Sequence, residues 1–198
     1  MNWHGVTVGY ALTGSHCTLA EVLPQIQRFT DAGANVVPIV SQTILTTDTR
    51  FGTSEHWQSE LRRITGNELI SSITAAEPLG PSKKLDVLAI APCTGSTTSR
   101  LANALTDSPV LMAAKAQLRN GRPLVLAIST NDGLGLNAAN IAKLLVAKSI
   151  YFVPFGQDNP EAKPNSLVAR MDLVLETCEA ALQGRQLQPM LIERFLYA

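Results

Sequence analysis

Short apolar runs alternate with amphipathic segments along this chain. Five runs are apolar enough to be strands covered on both faces, as in a parallel sheet; they span residues 5–12, 35–40, 85–91, 123–129 and 150–153. Apolar positions recur at helical spacing in residues 18–32, 54–65, 98–105, 109–119, 136–147 and 166–182. Strands that alternate with helices predict an α/β fold, with a three-layer doubly wound sheet that is mainly parallel.

Individual residues predict where several of these elements begin and end. Thr18 is the expected N-cap of the first helix, and Gly33 is the expected end of that helix. The third strand is expected to stop at Pro92, and either Asn165 or Ser166 is expected to cap the last helix.

Five features do not fit the simple alternation. Pro38 lacks the N–H needed for one ladder hydrogen bond, so it predicts a short or irregular second strand. Residues 41–51 are rich in hydroxyls, and residues 78–81 are rich in proline and glycine, so both are expected to be loops. Residues 154–165 make a connection long enough to be typical of a lid or a binding loop. The apolar tail, residues 184–198, needs a surface to pack on.

Composition excludes several classes of function. The 198 residues carry no net charge, so nothing favours electrostatic binding of nucleic acid. Only 5% of the residues are aromatic, so binding by base stacking is not expected either. No apolar run approaches the roughly 20 residues of a membrane helix, and no signal peptide is recognisable. Three widely spaced cysteines without a Cys/His cluster argue against disulfides and against a metal site. We therefore expect a single cytoplasmic domain over residues 1–198, which ends in the packing tail.

Small polar residues follow several of the predicted strands. The carboxyl ends of parallel strands meet at one edge of the sheet, and open α/β sheets bind their ligands there. Hydroxyls, backbone amides and helix N-termini at that edge suit a phosphate and a polar ring edge. The residues expected to gather there are Thr13, Gly14, Ser15, Ser41, Thr94, Gly95, Ser96, Thr97, Ser129 and Thr130. The plain alternative is that each loop is only a polar connection with a helix cap.

Glycine motifs narrow the choice of nucleotide. The phosphate-binding pattern GxxxxGK[ST] is absent from the chain. The dinucleotide fingerprint GxGxxG is also absent after the first strand, and Gly133 and Gly135 supply only its first two glycines after a late strand. A mononucleotide such as FMN is therefore expected in this chain in preference to NAD.

Four further residues are candidates for substrate contact, although none is assigned a catalytic role. His16 follows the first polar loop, where it either meets an anion or transfers a proton, or only satisfies the backbone. Asn131 either orients a ring or caps the next helix. Lys163 and Arg170 either meet carboxylates or are solvated charges. Cys93 lies next to a helix N-terminus that would activate its thiol, but we favour a buried core side chain.

The polar loops resemble those of a known family. Thr13-Gly14-Ser15 after the first strand, residues 92–97 after the third, and Leu101-Ala102-Asn103 are similar to the flavoprotein family of FMN-containing cysteine decarboxylases and flavin prenyltransferases. The resemblance implies a Rossmann/flavodoxin-like fold and an FMN phosphate held by the polar loops, including Pro92. It also implies assembly into homo-oligomers, which in this family are trimers or dodecamers.

The chain departs from the family's pattern after the fourth strand. The decarboxylase motif PxMNxxMW is absent, and the nearest position reads Ser129-Thr130-Asn131-Asp132-Gly133. Ser129-Thr130 also stands where the prenyltransferases have an Arg-Glu pair. These residues argue against a free-standing FMN-dependent decarboxylase or prenyltransferase, which remains one hypothesis.

Longer stretches resemble one branch of the family, whose members are one subunit of a two-chain oxidoreductase. The stretches are residues 12–17, 76–81, 101–115, 128–136 and 153–166. The resemblance implies a partner subunit that binds NAD(P), which agrees with the missing dinucleotide fingerprint. A second hypothesis from the same resemblance is a scaffold subunit that keeps the FMN pocket only as a vestige.

Overall fold

A central sheet of seven strands organises the computed structural model, which describes residues 1–82 and 84–193. The strands are β1 Thr7–Leu12, β2 Asn35–Val40, β3 Val87–Thr94, β4 Leu124–Thr130, β5 Ile150–Phe152, β6 Phe155–Gly156 and β7 Leu167–Ala169. The helices are α1 Leu19–Asp31, α2 Gln42–Thr46, α3 Ser54–Thr65, α4 Ile73–Ala76, α5 Leu79–Ser82, α6 Gly95–Ala102, α7 Pro109–Arg119, α8 Asn137–Leu145 and α9 Val174–Leu182. Short 3₁₀ turns at His16–Thr18 and Met171–Leu173 precede α1 and α9.

The sheet is mixed, with a parallel centre and an antiparallel edge. Strands β2, β1, β3 and β4 are parallel in that order, and β5 also pairs with β4 in parallel. The short strand β7 pairs antiparallel with the carboxyl end of β4, and β6 pairs antiparallel with β7. The predicted α/β class with a mainly parallel sheet flanked by helices is confirmed. The two added strands at the β4 side were not predicted.

Local capping signals explain the helices that were predicted correctly. The Thr53 hydroxyl accepts the His56 N–H at 3.1 Å before α3, and Gly66 ends that helix in the left-handed region. In α7, the Ser108 hydroxyl accepts the Leu111 N–H at 3.2 Å. Both helices begin and end where the sequence predicts, since each boundary is set by residues inside the helix and its caps.

Thr18 and Gly33 bound the first helix as predicted, but Thr18 does not cap it with its side chain. Its hydroxyl instead donates to the Ser15 carbonyl at 2.8 Å, within the 3₁₀ turn that precedes α1. Gly33 ends the helix with φ +93°, a backbone conformation that glycine adopts without a Cβ clash. The helix keeps Pro24 in its second turn.

Strand β2 is longer and more regular than Pro38 predicts. It runs for six residues in unbroken register with β1, because it is the edge strand of the sheet. The Pro38 carbonyl faces outward, where it accepts the Ile70 N–H at 2.9 Å. The missing N–H of Pro38 therefore lies on the outer side, and no hydrogen bond to β1 is lost.

Strand β3 does not end at Pro92, and the predicted polar loop after it does not form. The strand continues to Thr94, with a register shift against β4 between Ile90 and Cys93. This irregularity accommodates the residue that lacks an N–H in a central strand. Helix α6 then begins at Gly95, three residues before the predicted start, so strand and helix are joined directly.

Residues 166–182 are not one helix. They contain β7, a 3₁₀ turn and then α9, so neither Asn165 nor Ser166 is a helix cap. Leu167 and Ala169 are two positions apart, which is the spacing of one face of a strand, and both are buried where β7 pairs with β4 and β6. Such long-range pairing overrides a local pattern this short.

Three predicted loops contain short regular elements. Helix α2 occupies part of residues 41–51, α5 begins inside residues 78–81, and β6 lies inside residues 154–165. After β6, a hydrogen bond joins the two ends of the remaining loop: the Gln157 side chain donates to the Pro164 carbonyl at 2.8 Å.

One hydrophobic core extends across both faces of the sheet. Its central strands β3 and β4 are almost completely buried, and Tyr10 and Phe29 are among its largest buried side chains. The described part of the tail joins this body, since the Phe155 N–H donates to the Met190 carbonyl at 3.0 Å. The remainder of the predicted packing tail, residues 194–198, lies outside the described residues. No helix among the described residues is long and apolar enough to cross a membrane.

Candidate functional site

A cleft of about 330 Å³ lies at the carboxyl edge of the sheet, where β1, β2 and β3 end. We call it the hydroxyl cleft, because hydroxyl side chains dominate its lining. It is lined by Thr13, Gly14, Ser41, Gln42, Thr43, Thr94, Ser96, Thr97, Arg100, Asp107, Ser108, Val110 and Leu111. Six of these residues, Thr13, Gly14, Ser41, Thr94, Ser96 and Thr97, were predicted to gather at this edge.

The first loop is fixed in place by Thr13 and Gly14. The buried Thr13 hydroxyl donates to the Pro92 carbonyl at 2.7 Å and accepts the Thr94 N–H at 3.0 Å, which ties the end of β1 to that of β3. A Cβ on Gly14 would approach the Thr43 methyl to 2.8 Å, so only glycine permits this packing. The Thr13 hydroxyl is thus used in shaping the cleft, and Pro92 contributes a carbonyl behind the lining.

Ser41 presents a polar atom that the protein itself does not satisfy. It occupies the N-cap position of α2, yet its side chain accepts no capping hydrogen bond. Its Oγ is buried and has no hydrogen-bond partner among the described residues. Because buried hydroxyls in folded proteins nearly always have a partner, this atom is free for a ligand in the cleft.

Two helix N-termini also reach the hydroxyl cleft. Thr94 is the N-cap of α6, and Ser108 is the N-cap of α7. Helix N-termini carry partial positive charge and unpaired N–H groups, so both favour an anion. Within α6, the Thr94 and Thr97 hydroxyls lie 3.0 Å apart, which orients both at the mouth of the helix.

Arg100 was missed by the sequence analysis. It lines the cleft one turn along α6 from Ser96 and Thr97, where it pairs with Asp107 at 3.4 Å. Both side chains are about half exposed, so their ion pair is weak and can exchange for another anion. The three- and four-residue spacing from the polar start of α6 was the available signal, since it places Arg100 on the same face.

On the β4 side of the same edge, the predicted residues bond to one another. Ser15 Oγ and Ser129 Oγ lie 2.8 Å apart. The Thr130 hydroxyl donates to Asp132, and the Asn137 amide donates to both Asp132 oxygens, at 2.8 and 3.0 Å. We call these bonds the β4 network. The hydrogen bond from Thr130 is the largest cause that lowers the pKa of Asp132, and the bonds from Asn137 are the second.

Gly95 joins the β4 network by close packing. A Cβ at this position would lie 2.8 Å from both Asn137 Nδ2 and Asp132 Oδ1, so the site needs glycine. Five predicted cofactor residues therefore do not line the hydroxyl cleft: Ser15, Pro92, Gly95, Ser129 and Thr130. They support its walls from behind or close the neighbouring part of the edge.

The four candidate substrate residues lie outside the lining of the hydroxyl cleft. His16 is half-buried, both ring nitrogens lack partners among the described residues, and desolvation lowers its pKa. Asn131 is exposed at the end of β4. Lys163 pairs with Asp158 at 3.6 Å, and Arg170 forms a two-point pair with Asp172 at 2.8 and 2.5 Å. The last two charges are satisfied locally, which favours the interpretation of both as solvated charges.

Cys93 is a buried core residue, as favoured from the sequence. It is fully buried, and burial raises the pKa of its thiol to about 12 despite a contact with Thr98. The alternative of a thiol activated by the N-terminus of α6 is wrong, because desolvation outweighs that effect. No group of three or more potential metal ligands is present in the part of the chain that the structure describes.

The donor set of the hydroxyl cleft fits a phosphorylated ligand of mononucleotide size. A free buried hydroxyl, two helix N-termini and an exchangeable arginine suit a phosphate group. Val110 and Leu111 add an apolar wall of the kind that a flat ring requires.

An open, mainly parallel sheet with a polar cleft at its carboxyl edge is typical of α/β proteins that bind their ligands at that edge. The chain belongs to the flavoprotein family, whose profile matches residues 2–183. This membership confirms the resemblance drawn from the polar loops.

Individual relatives share almost the whole chain. The B subunit of dipicolinate synthase of Bacillus subtilis (strain 168) is 54% identical over 191 residues, which cover 96% of both chains. The B subunit of dipicolinate synthase from Bacillus halodurans C, known from a crystal structure, is 58% identical, with a TM-score of 0.91 over 98% of this chain and 100% of that one.

A more distant structure shares the fold alone. DmrB of Burkholderia xenovorans, in complex with FMN and described as a cubic protein cage for redox transfer, has a TM-score of 0.62 and 14% identity. The match covers 75% of this chain and 87% of that one.

Proposed function

We propose that this chain is the B subunit of a dipicolinate synthase, which acts with a separate A subunit. The observation that supports this most strongly is 54% identity over 96% of both chains to a protein with that name. In the proposed reaction, dihydrodipicolinate loses a hydride to NAD(P)⁺ and a proton to the medium. The products are pyridine-2,6-dicarboxylate and NAD(P)H.

The absence of a dinucleotide fingerprint supports a division of labour between the two chains. Thr13-Gly14-Ser15-His16-Cys17-Thr18 follows β1, where GxGxxG would stand. The A subunit is therefore proposed to bind NAD(P). The present chain is proposed to act in the cytoplasm of the mother cell of a sporulating bacterium, as a homo-oligomer that is a trimer or a dodecamer.

A flavin cofactor is supported by family membership, and we propose that it is FMN, bound in the hydroxyl cleft. Ser41 Oγ, the N-terminus of α6 and Arg100 would hold the phosphate, while Val110 and Leu111 would contact the apolar part. When bound, a flavin supplies the capacity to accept and return a hydride. Ser41, the N-terminus of α6 and Arg100 would neutralise its phosphate.

Reconstitution tests the proposed function directly. Each purified chain is assayed alone with dihydrodipicolinate and NAD(P)⁺, and the two are then mixed, with NAD(P)H absorbance as the readout. Little or no turnover by either chain alone and full turnover on mixing are expected. Full activity of the A subunit alone would contradict a contribution of this chain to the reaction.

A scaffold subunit with a vestigial pocket is a second candidate, because the protein itself uses several predicted ligands. The Thr13 hydroxyl and the Ser15–Ser129 pair are already satisfied internally. This candidate expects mixed complexes that contain Ser41→Ala or Thr94→Ala to keep the wild-type rate. A large loss of rate in correctly assembled variants would rule it out. A free-standing decarboxylase or prenyltransferase is not favoured, because Ser129-Thr130-Asn131 replaces both family motifs.

A further inference from the structure

A second concave surface lies next to the hydroxyl cleft. We call it the α6–α7 groove: it has a volume of about 290 Å³ and is lined by Leu101, Ala104, Leu105, Thr106, Leu111, Lys115, Leu118 and Arg119. Five of these residues are aliphatic, and Leu105 is 52% exposed. Leu111 lines both the groove and the hydroxyl cleft, so the two are separated only by the wall that residues 100–111 form.

The groove is preformed by the turn that ends α6. Ala104 has φ +58°, a left-handed conformation that is unfavourable for alanine. The Leu105 N–H donates back to the Arg100 carbonyl at 2.9 Å, and the Ala104 N–H donates to the Leu101 carbonyl at 3.1 Å. Because these bonds fix the turn, Leu105 is held at the surface without a conformational change, which favours a binding role.

Two unpaired cations lie at the rim of the groove. Lys115 and Arg119 are exposed and lie one turn apart on α7, and both line the groove. Neither makes an ion pair or a side-chain hydrogen bond with another residue in the described ranges, unlike Arg100 and Arg122. Among the residues that the structure describes, no acidic one lines the groove. Glu77 lies with both cations around a neighbouring depression, without a salt bridge to either.

An apolar floor with a cationic rim fits an occupant that carries both aliphatic side chains and carboxylates. A two-fold contact with a second copy of this chain does not offer that combination. Such a two-fold contact would bring Lys115 and Arg119 close to their own equivalents.

We infer that the α6–α7 groove docks an acidic, apolar segment of a different polypeptide, namely the NAD(P)-binding subunit of the proposed function, on which this assignment of the partner rests. Docking there places the partner on the wall that residues 100–111 share with the hydroxyl cleft. The partner is thereby brought next to this chain's own site, with Arg100 and Asp107 on the wall between them.

The test measures affinity between the purified full-length chains by isothermal titration at two salt concentrations. The variants are Leu105→Asp and the double reversal Lys115→Glu/Arg119→Glu, and the matched control is Lys148→Glu, another exposed lysine outside the groove. Thermal melting and FMN retention of each variant alone show that the fold and the hydroxyl cleft are intact. All substituted positions are exposed, so folding is expected to be preserved.

Wild-type and Lys148→Glu chains are expected to bind alike, while each groove variant weakens binding by at least about tenfold. Wild-type binding is also expected to weaken between about 50 and about 500 mM salt, and this dependence should largely disappear in the double reversal. Loss of affinity with restored NAD(P)H formation at saturating partner would identify the groove as a docking surface and not as part of the chemistry.

Three results would overturn the inference. Wild-type affinity in both groove variants would refute the docking surface while the two-chain function still stands. If the wild-type chains do not associate at all and show no turnover on mixing, both the proposed function and the assigned partner are refuted. Sedimentation that shows the groove variants dissociating an oligomer of this chain alone would assign the groove to a second copy.

Discussion

On the β2 side of the carboxyl edge, Ser41 has a buried hydroxyl without a partner among the described residues, whereas on the β4 side Ser129 is bonded to Ser15 at 2.8 Å. Both sides are built from small hydroxyl residues at strand ends. On the β2 side they line the hydroxyl cleft, and on the β4 side they make up the β4 network with Asp132 and Asn137. Similar residue types at equivalent sheet positions thus separate into a site available to a ligand and a support that satisfies itself.

Gly95 lies where the two sides meet, so changing it is expected to have the largest effect. In Gly95→Ala, the new Cβ would lie 2.8 Å from Asn137 Nδ2 and from Asp132 Oδ1. Either these side chains or the start of α6 must shift, which disrupts the β4 network, and we expect the free energy of unfolding to fall by about 2–4 kcal/mol. Urea denaturation measures this loss.

The matched control for Gly95→Ala is Gly80→Ala. Gly80 is also buried in a helix, but its added Cβ would meet only Ala116 at an ordinary 3.7 Å. We expect its stability to change by less than about 1 kcal/mol. Equal losses in the two variants would contradict the role of the β4 network in excluding a side chain at Gly95.

On the β2 side, Ser41→Ala is expected to change ligand affinity without lowering stability. Its Oγ has no partner among the described residues, so the free energy of unfolding should stay the same or rise slightly. FMN affinity, measured by fluorescence titration, should fall by about tenfold, because one hydrogen bond to a charged phosphate is lost. Unchanged affinity would mean that the ligand does not reach Ser41.

On the β4 side, the opposite is expected: substitutions should lower stability without changing ligand affinity. Ser129→Ala removes the 2.8 Å hydrogen bond to Ser15 and leaves Ser15 Oγ only its 3.8 Å contact with Cys17 Sγ. We expect a loss of about 1 kcal/mol of unfolding free energy, with FMN affinity unchanged. Comparing this variant with Ser41→Ala in the same two assays tests the division of the edge. If Ser129→Ala weakens FMN as much as Ser41→Ala does, the two sides form one binding site.

The β4 network also predicts a pH dependence. Its hydrogen bonds depress the pKa of Asp132 below the ordinary 3.8 in the folded state. This carboxylate therefore stabilises the fold above about pH 3.8, and its contribution is lost as the pH falls through the lower folded pKa. Asp132→Asn should be less stable than the wild type near neutral pH, and the gap should shrink under acid. A gap that is constant down to about pH 2 would contradict this linkage.

The smallest effect is expected from the ion pair at the mouth of the hydroxyl cleft. Asp107 competes with a ligand phosphate for Arg100, but both side chains are about half exposed. Asp107→Asn should therefore raise FMN affinity by about two- to threefold, and Arg100→Gln should lower it by a similar factor. Salt should reduce both differences, because the charges are screened. If Asp107→Asn lowers FMN affinity and Arg100→Gln raises it, the phosphate does not lie next to Arg100.

Sequence patterns predicted the parts of the fold that depend on neighbouring residues. Helices α3 and α7 were predicted to the residue, since their caps and stops lie within one turn of them. Strand β7 was predicted as helix, because three residues are too few to show a strand-like alternation of apolar and polar positions. Its burial results from pairing with other strands of the sheet. Continuation of β3 through Pro92 was also missed, because it depends on a register shift against β4.

The candidate site was predicted in part for the same reason. Parallel strand order places Thr13, Ser41 and Thr94 at one edge, so their grouping followed from the fold class. Which hydroxyls would be used internally depends on contacts such as Ser15 to Ser129, which lie 114 positions apart and leave no local signal. Arg100 was missed because the small polar residues stop before it, whereas the site continues along the first two turns of α6.

The central claim is that the hydroxyl cleft holds a flavin, and an absorption spectrum tests it most directly. The protein is purified alone, then incubated with FMN and passed through gel filtration, and its flavin absorbance is compared with its protein content. The account predicts a retained flavin band at about one per chain, which Ser41→Ala weakens and Ser129→Ala does not. A colourless protein after both treatments, with the fold intact, would contradict it.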